Sequence, residues 1–199
     1  MTRRQQTERP AACAALFALL ALAGCGDSAG PEGTDTDADT AEQELRTLLG
    51  IPDHFELPSI PDYNPPTAEK IALGRRLFYD RQLSANGEQS CADCHHQELG
   101  FVDGEKTPTG STGTVLVRNS MALANVAYNS SYTWASDNLL TLEDQIKIPL
   151  LSDSPIELGV TDGVRDEVFA RFEQDPEYAQ LFQDAFPEDP GGVTTNKVV

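Results

Sequence analysis

The chain of 199 residues is short of basic side chains and of sulfur and imidazole groups. It has 14 Lys and Arg against 32 Asp and Glu, with four Cys, three His, two Met and one Trp, and its formal net charge is −18. This acidity argues against binding nucleic acid or anionic lipid and suits a basic or neutral partner. Alternation of apolar and polar residues never persists beyond a few positions, so a β-sheet protein is not expected. The sequence therefore predicts a mainly α, loop-rich domain.

The first 24 residues have the pattern of a secretory signal peptide. Three arginines precede an apolar run, residues 11–23, that is too short to span a bilayer as a stable anchor. The run ends in Leu22-Ala23-Gly24-Cys25, which resembles a bacterial lipobox. We expect a periplasmic, membrane-anchored lipoprotein acylated at Cys25; the alternative is an ordinary signal peptide with a chance cysteine. Removing the signal's three basic residues and one acidic residue would take the formal charge from −18 to −20.

Composition divides the rest of the chain into three segments. Residues 25–44 are rich in Gly, Ser, Thr, Asp and Glu, which predicts a flexible acidic tether. Residues 45–66 contain five prolines and predict an extended strap over the domain surface. Residues 67–199 form the predicted domain, about 130 residues that can bury one core. Its helix starts are indicated by Thr67, Thr141 and the pair Asp175-Pro176.

The pentapeptide Cys91-Ala92-Asp93-Cys94-His95 is the most informative feature of the chain. C-x-x-C-H is the attachment pattern of a c-type haem, in which both thiols form thioethers and the histidine supplies an axial nitrogen to the iron. A zinc site would need two more ligands, and only His54 and His96 are available. A thioredoxin-like redox pair would need a βαβ context that is absent. We therefore predict covalently bound haem c, held by Cys91, Cys94 and His95.

Several further motifs occur in a fixed order around this pentapeptide. They are Leu73-Gly74-Arg75-Arg76-Leu77-Phe78-Tyr79-Asp80, Leu83-Ser84, Gly100-Phe101-Val102-Asp103-Gly104, Arg118-Asn119-Ser120, Asn125-Val126-Ala127-Tyr128-Asn129 and Leu142-Glu143-Asp144-Gln145. Together they resemble the N-terminal haem domain of the bacterial di-haem cytochrome c peroxidase and MauG family, over about Pro58 to Pro187. The resemblance implies a mainly α, cytochrome c-like helical domain with long loops.

Two stretches are more similar to the MbnH-like branch of that family. They are Tyr132-Thr133-Trp134-Ala135 and the segment from Pro149-Leu150-Leu151 to Pro155-Ile156-Glu157-Leu158-Gly159. The resemblance implies an oxidoreductase that reduces hydrogen peroxide. Its electrons would come from a small cytochrome or from a tryptophan on a partner protein, such as an MbnP-like substrate.

The resemblance also assigns roles to residues outside the pentapeptide. Glu157 matches the catalytic glutamate, Gln145 a distal glutamine, and Pro149 the proline that crowds the distal pocket. Trp134 matches an electron relay between two haems, and Asn119 a ligand to an inter-haem calcium. The alternatives are a solvated loop carboxylate for Glu157, the end of a helix for Pro149, a core aromatic for Trp134 and a capping asparagine for Asn119.

No histidine occurs between Gln97 and Asn119, where many family members carry a distal ligand. The resemblance thus implies an iron that is open to peroxide on its distal side. Family members also carry a second C-x-x-C-H in a C-terminal domain, which this sequence does not contain, so we expect a truncated chain of an intended two-haem enzyme. The alternatives are a non-enzymatic c-type cytochrome that carries electrons, or an inactive fragment.

Overall fold

The computed structural model describes residues 35–134 and 136–199, and the chain divides after Ala41 into two units. Of the first unit, residues 35–41 are described, and they open helix α1, Asp35–Leu49. The predicted signal peptide and Cys25 lie outside the described residues. Among the helices described, none has both the length and the apolar character needed to cross a membrane.

Helix α1 corrects the prediction of a flexible tether that continues to Glu44 and a strap that begins at Leu45. The helix runs to Leu49 because the stretch from Ala38 to Leu49 is rich in Ala, Glu, Gln and Leu, which are good helix formers. Arg46 and Glu42 form an ion pair of 2.6 Å one turn apart, which adds support. Gly50 then ends the helix in the left-handed conformation, at φ +66°.

The second unit is helical with long loops, which confirms the predicted fold class. Its helices are α2 (Ala68–Tyr79), α3 (Leu142–Leu151), α4 (Arg165–Gln174), α5 (Pro176–Ala185) and α6 (Thr195–Val198). Short 3₁₀ turns occur at Arg81–Leu83, Cys91–Asp93, Gln97–Leu99 and Val126–Tyr128. Isolated β-bridges are present, but the described residues form no strand.

Three helix starts confirm the capping predicted from sequence. The side chain of Thr67 accepts a hydrogen bond from the Lys70 amide, and that of Thr141 accepts one from the Asp144 amide. Asp175 accepts from the amides of Glu177 and Tyr178, with Pro176 at the first helical position. Pro149 lies inside α3, whose last residue is Leu151. The proline therefore sits in the last turn of that helix and not after it.

The core lies where α5 packs against both α2 and α4. Its buried side chains include Leu73, Leu77, Val168, Phe172, Tyr178 and Phe182. The rings of Phe172 and Tyr178 meet edge to face at 4.8 Å, which joins α4 to α5. Leu150, Leu158 and Val160 extend the same core, and Cys91 packs against it. The core thereby connects the haem-attachment motif to the segment that carries Glu157.

The proline-rich segment after α1 is pinned to the rest of the second unit by hydrogen bonds. The Tyr128 hydroxyl donates to the Glu56 carbonyl at 2.8 Å, and the Asn64 amide donates to the Glu143 carboxylate at 2.7 Å. Five prolines keep this segment out of helix, as the sequence predicted.

Candidate functional site

The haem-attachment motif is a tight turn fixed by an aspartate. Cys91–Asp93 is a single 3₁₀ turn, and the Asp93 carboxylate accepts from the amide and hydroxyl of Ser90 at 2.8 and 3.0 Å. Arg81 binds the same carboxylate with two hydrogen bonds, of 2.7 and 3.1 Å. Burial opposes ionisation of Asp93, but the bonds from Arg81 and Ser90 outweigh it and lower its pKa. The turn is therefore held by hydrogen bonds from the protein's own residues, without a cofactor.

The two thiols are unpaired and half-buried. Burial raises the pKa of Cys91 to about 11 and also raises the pKa of Cys94. The described residues contain no group of three or more His, Cys, Asp or Glu side chains that could hold a metal ion. The zinc alternative thus finds no support here, whereas thioether attachment of haem needs only the two cysteines.

One ring nitrogen of His95 is hydrogen-bonded to the backbone, which would leave the other to bind the haem iron. Its Nδ1 lies 2.8 Å from the Phe101 carbonyl, so with Nδ1 as the donor the other ring nitrogen, Nε2, keeps a free lone pair. The carbonyl is placed by a tight turn in which Gly100 and Phe101 both have positive φ, +72° and +66°. The Phe78 ring lies 6.4 Å from the imidazole. The residues present fit a haem ligated by His95.

Glu157 is placed by backbone hydrogen bonds from three directions. The Ser111 amide donates to the Glu157 carbonyl at 2.7 Å, and the Leu158 amide donates to the Pro149 carbonyl at 2.9 Å. The Ala85 amide donates to the Leu158 carbonyl at 2.8 Å. Glu157 is thus fixed by the loop before the haem motif, the loop after it and the end of α3.

Glycine is required where one of these loops approaches the Glu157 segment. A Cβ atom on Gly110 would lie 2.0 Å from the Ile156 carbonyl oxygen, a distance that no side chain tolerates. Gly110 therefore lets the two backbones approach closely enough for Ser111 to bind Glu157. No sequence motif marks this requirement at Gly110.

The carboxyl of Glu157 is half-buried. Burial raises the pKa of Glu157, and its negative charge helps to raise the pKa of both Cys91 and Cys94. A carboxyl with a raised pKa can hold and release a proton closer to neutral pH. The structure therefore fixes the Glu157 segment to the loops that flank the motif, and the role of Glu157 as a proton donor and acceptor stays a prediction.

Two buried oxygen atoms near these elements have no protein partner. They are Gln145 Oε1 and Ser111 Oγ. Gln145 lies on α3 four residues before Pro149, so both residues belong to one helix face. Buried polar atoms are nearly always hydrogen-bonded, so these two fit a site that receives a cofactor, substrate or water. Sequence reasoning identified Gln145 but missed Ser111, which no motif marks.

A cleft of about 720 Å³ opens beside Cys94, and its lining includes Gln89, Asp103, Gly110 and Ser111. The side-chain amide of Gln89 donates to Cys94 Sγ at 3.4 Å and to the Thr109 carbonyl at 2.9 Å. Gln89 therefore ties the second cysteine to the loop that reaches Glu157. It too was missed from sequence, because a single glutamine carries no recognisable pattern.

Two of the predicted residues lie on the surface. Trp134 is 91 % exposed, so the alternative that it is a core aromatic is wrong. Asn119 is exposed, and its side-chain amide donates to the Ser120 carbonyl at 3.1 Å. Their predicted roles as relay and calcium ligand stay predictions.

Comparison with known proteins places this site in a family. Residues 68–199 match the family model described as di-haem cytochrome c peroxidase. The MauG protein for methylamine utilization in Methylorubrum extorquens is 34% identical over 156 residues, covering 78% of this chain and 42% of MauG. The cytochrome c peroxidase Ccp of Escherichia coli is 36% identical over 143 residues, covering 71% of this chain and 30% of Ccp.

A solved structure agrees with this likeness in fold. A MauG-like protein associated with microbial copper homeostasis superposes with a TM-score of 0.71 at 40% identity, covering 74% of this chain and 43% of that one. The chain spans less than half the length of each of these relatives.

Proposed function

The chain belongs to the di-haem cytochrome c peroxidase family, and from that premise we propose that it forms the peroxide-reacting haem domain of a periplasmic oxidoreductase. One observation carries the proposal. The half-buried carboxyl of Glu157, whose pKa burial raises, lies on a segment that backbone hydrogen bonds fix to the loops before and after the haem-attachment motif. An electron carrier has no need of such a group, whereas cleavage of peroxide needs a residue that can move a proton.

Haem c would be attached through Cys91 and Cys94 and ligated by His95, and when bound it supplies the redox chemistry toward peroxide. The chain's own residues prepare that site. The bond between His95 Nδ1 and the Phe101 carbonyl fixes the imidazole plane and increases its basicity. The Asp93 network keeps the two cysteines in one tight turn.

Glu157 is proposed to move the proton that peroxide cleavage requires. Its carboxylate accepts a proton from one oxygen of hydrogen peroxide and delivers it to the other, which leaves as water. Two electrons and two protons per peroxide complete the reduction to two waters. Gln145, whose Oε1 lacks a protein partner, orients the peroxide, and Pro149 on the same face narrows the space beside it.

The electron source is proposed from charge and exposure. A formal charge of −18 suits a basic or neutral donor, either a small cytochrome or a partner protein with an oxidisable tryptophan of the MbnP-like kind. Trp134, almost fully exposed, is proposed as the relay residue.

Three further features are proposed for the whole protein. They are a second haem, a calcium ion bound in part by Asn119, and a lipid anchor at Cys25 that follows a signal peptide. The chain covers 42% of the M. extorquens MauG and 30% of the E. coli Ccp. The remaining length of these relatives is enough for a second haem domain.

The test is the reaction of the haem-loaded chain with hydrogen peroxide. We expect a high-spin ferric spectrum that shifts on mixing, and a reaction rate that Glu157→Gln lowers by about 10²- to 10³-fold. Glu188→Gln, an exposed carboxyl outside the site, is the matched control and should react as the wild type does. A low-spin spectrum that does not respond to peroxide would instead identify an electron carrier.

A further inference from the structure

Arg171 on α4 binds a loop that lies between α2 and the haem motif. Its Nη1 donates to the carbonyls of Gln82 and Ser84 at 3.1 and 2.8 Å. Its Nη2 donates to the Ala85 carbonyl at 3.0 Å. The side chain is 24% exposed, and its ion pair with Glu167 is long, at 3.4 Å. The guanidinium is therefore committed mainly to three backbone carbonyls.

The opposite side of this loop holds the segment that carries Glu157. The Ala85 amide donates to the Leu158 carbonyl at 2.8 Å. The Asn86 side chain donates to the Ser111 carbonyl at 2.6 Å, and the Ser111 amide donates to the Glu157 carbonyl at 2.7 Å. Two hydrogen-bonded routes thus lead from the loop to Glu157 or its immediate neighbour.

The same loop also contacts the haem motif. Ser84 is fully buried, and its hydroxyl accepts a hydrogen bond from the backbone amide of Gln89 at 3.1 Å. The Gln89 side chain in turn donates to Cys94 Sγ at 3.4 Å. The loop therefore contacts both the residues that hold Cys94 and the segment that carries Glu157.

We propose that Arg171 is a positioning residue that sets the placement of Glu157 relative to Cys94 by holding the loop carbonyls of residues 82, 84 and 85. The inference rests on the role proposed for Glu157. A guanidinium suits the task because its planar fork presents five donors in fixed directions, so one side chain reaches three carbonyls. A lysine ammonium can also reach three carbonyls, as that of Lys197 does, but it donates from a single nitrogen and cannot reproduce the fixed directions of the guanidinium fork.

The test compares Arg171→Gln and Arg171→Lys with Arg165→Gln, all in the haem-loaded chain. Arg165 lies on the same helix, and its bond to Asp162 is a surface ion pair, so it controls for loss of charge on α4. Hydrogen exchange followed by mass spectrometry should show the amides of Ala85, Ser111 and Leu158 exchanging about tenfold faster in both Arg171 variants. Arg165→Gln should leave that exchange unchanged.

The second readout is the pH profile of the peroxide reaction. Loosening the loop admits water to Glu157, so the acidic limb of the profile should move to lower pH in the Arg171 variants and not in Arg165→Gln. Faster exchange spread evenly over the chain, or an unmoved profile, would overturn the inference. Arg171→Lys keeps the test decisive if Arg171→Gln does not fold. A wild-type chain that does not react with peroxide would contradict the proposed function. The exchange rates of the Ala85, Ser111 and Leu158 amides would still test the positioning role of Arg171.

Discussion

The two sides of the candidate haem site are built in different ways. On the His95 side, the contacts are local: Ser90 binds Asp93 three residues away, and His95 meets the Phe101 carbonyl six residues away. On the Glu157 side, the backbone is held by Ala85, Ser111 and Pro149, from three separate parts of the chain. The first side is specified by a short stretch of sequence, and the second exists only when the whole unit is folded.

This difference predicts two kinds of failure. Loss of the local side should remove the cofactor itself. Loss of the long-range side should leave the cofactor attached but separate it from the proton-moving carboxyl. Variants that affect one side alone can therefore establish whether the two are independent.

The largest effect is expected from removing the local side. The double variant Cys91→Ser and Cys94→Ser cannot form thioethers, so covalent haem should be absent. Haem staining after denaturing electrophoresis measures this directly, with Glu157→Gln as a control that should stain as the wild type does. Persistent staining of the double variant would show that the haem is attached elsewhere.

A smaller effect is expected from disturbing the long-range side through Gly110→Ala. The added Cβ would lie 2.0 Å from the Ile156 carbonyl, so the backbone must shift. We expect a loss of about 1–3 kcal/mol in the free energy of unfolding. Denaturant titration of the haem-loaded chain would measure it, and haem staining should be unchanged.

The matched control for Gly110→Ala is Gly74→Ala. Gly74 lies inside α2 with open space around its Cβ position, so alanine should stabilise the chain by about 0.5–1 kcal/mol. The two variants need not change the free energy of unfolding by equal amounts. If both changed it in the same direction, the close approach of residues 110 and 156 would be contradicted.

The smallest effect concerns the pH dependence of stability. Burial raises the pKa of Glu157 in the folded chain, so the folded state binds this proton more tightly than the unfolded state does. Stability is therefore lost as pH rises from the ordinary glutamate pKa through the raised value. Glu157→Gln should raise the melting temperature at neutral pH. This increase should be smaller than the change in melting temperature that Gly110→Ala causes. Melting curves from pH 4 to 8 should show that gain shrinking toward acid pH; a constant gain would contradict it.

The same division explains what the sequence could predict. The starts of α2 and α5 followed from Thr67 and Asp175-Pro176, because capping depends on neighbours a few residues away. The role of Phe101 was also within reach, since axial histidines commonly donate to a backbone carbonyl and Gly100-Phe101 lies close by.

Long-range partners could not be found in this way. Ser111, Gln89 and Arg171 act through residues distant in sequence, and a lone serine, glutamine or arginine has no periodicity or spacing to mark it. Glu157 was found only through family resemblance. Helix α1 is hard to predict for another reason: its acidic, polar composition is also typical of disorder, although its Ala, Glu and Leu residues favour a helix.

The exposure of Trp134 has a practical consequence. The chain contains one tryptophan, and it is 91 % exposed. In the chain before haem is attached, where no haem quenches the emission, the fluorescence arises from a single, water-surrounded indole, and the emission maximum should lie at the long-wavelength end of the tryptophan range. Any protein or domain that covers this surface would move that maximum to shorter wavelength. Trp134 fluorescence can therefore measure binding at this surface without an added label and without an activity assay.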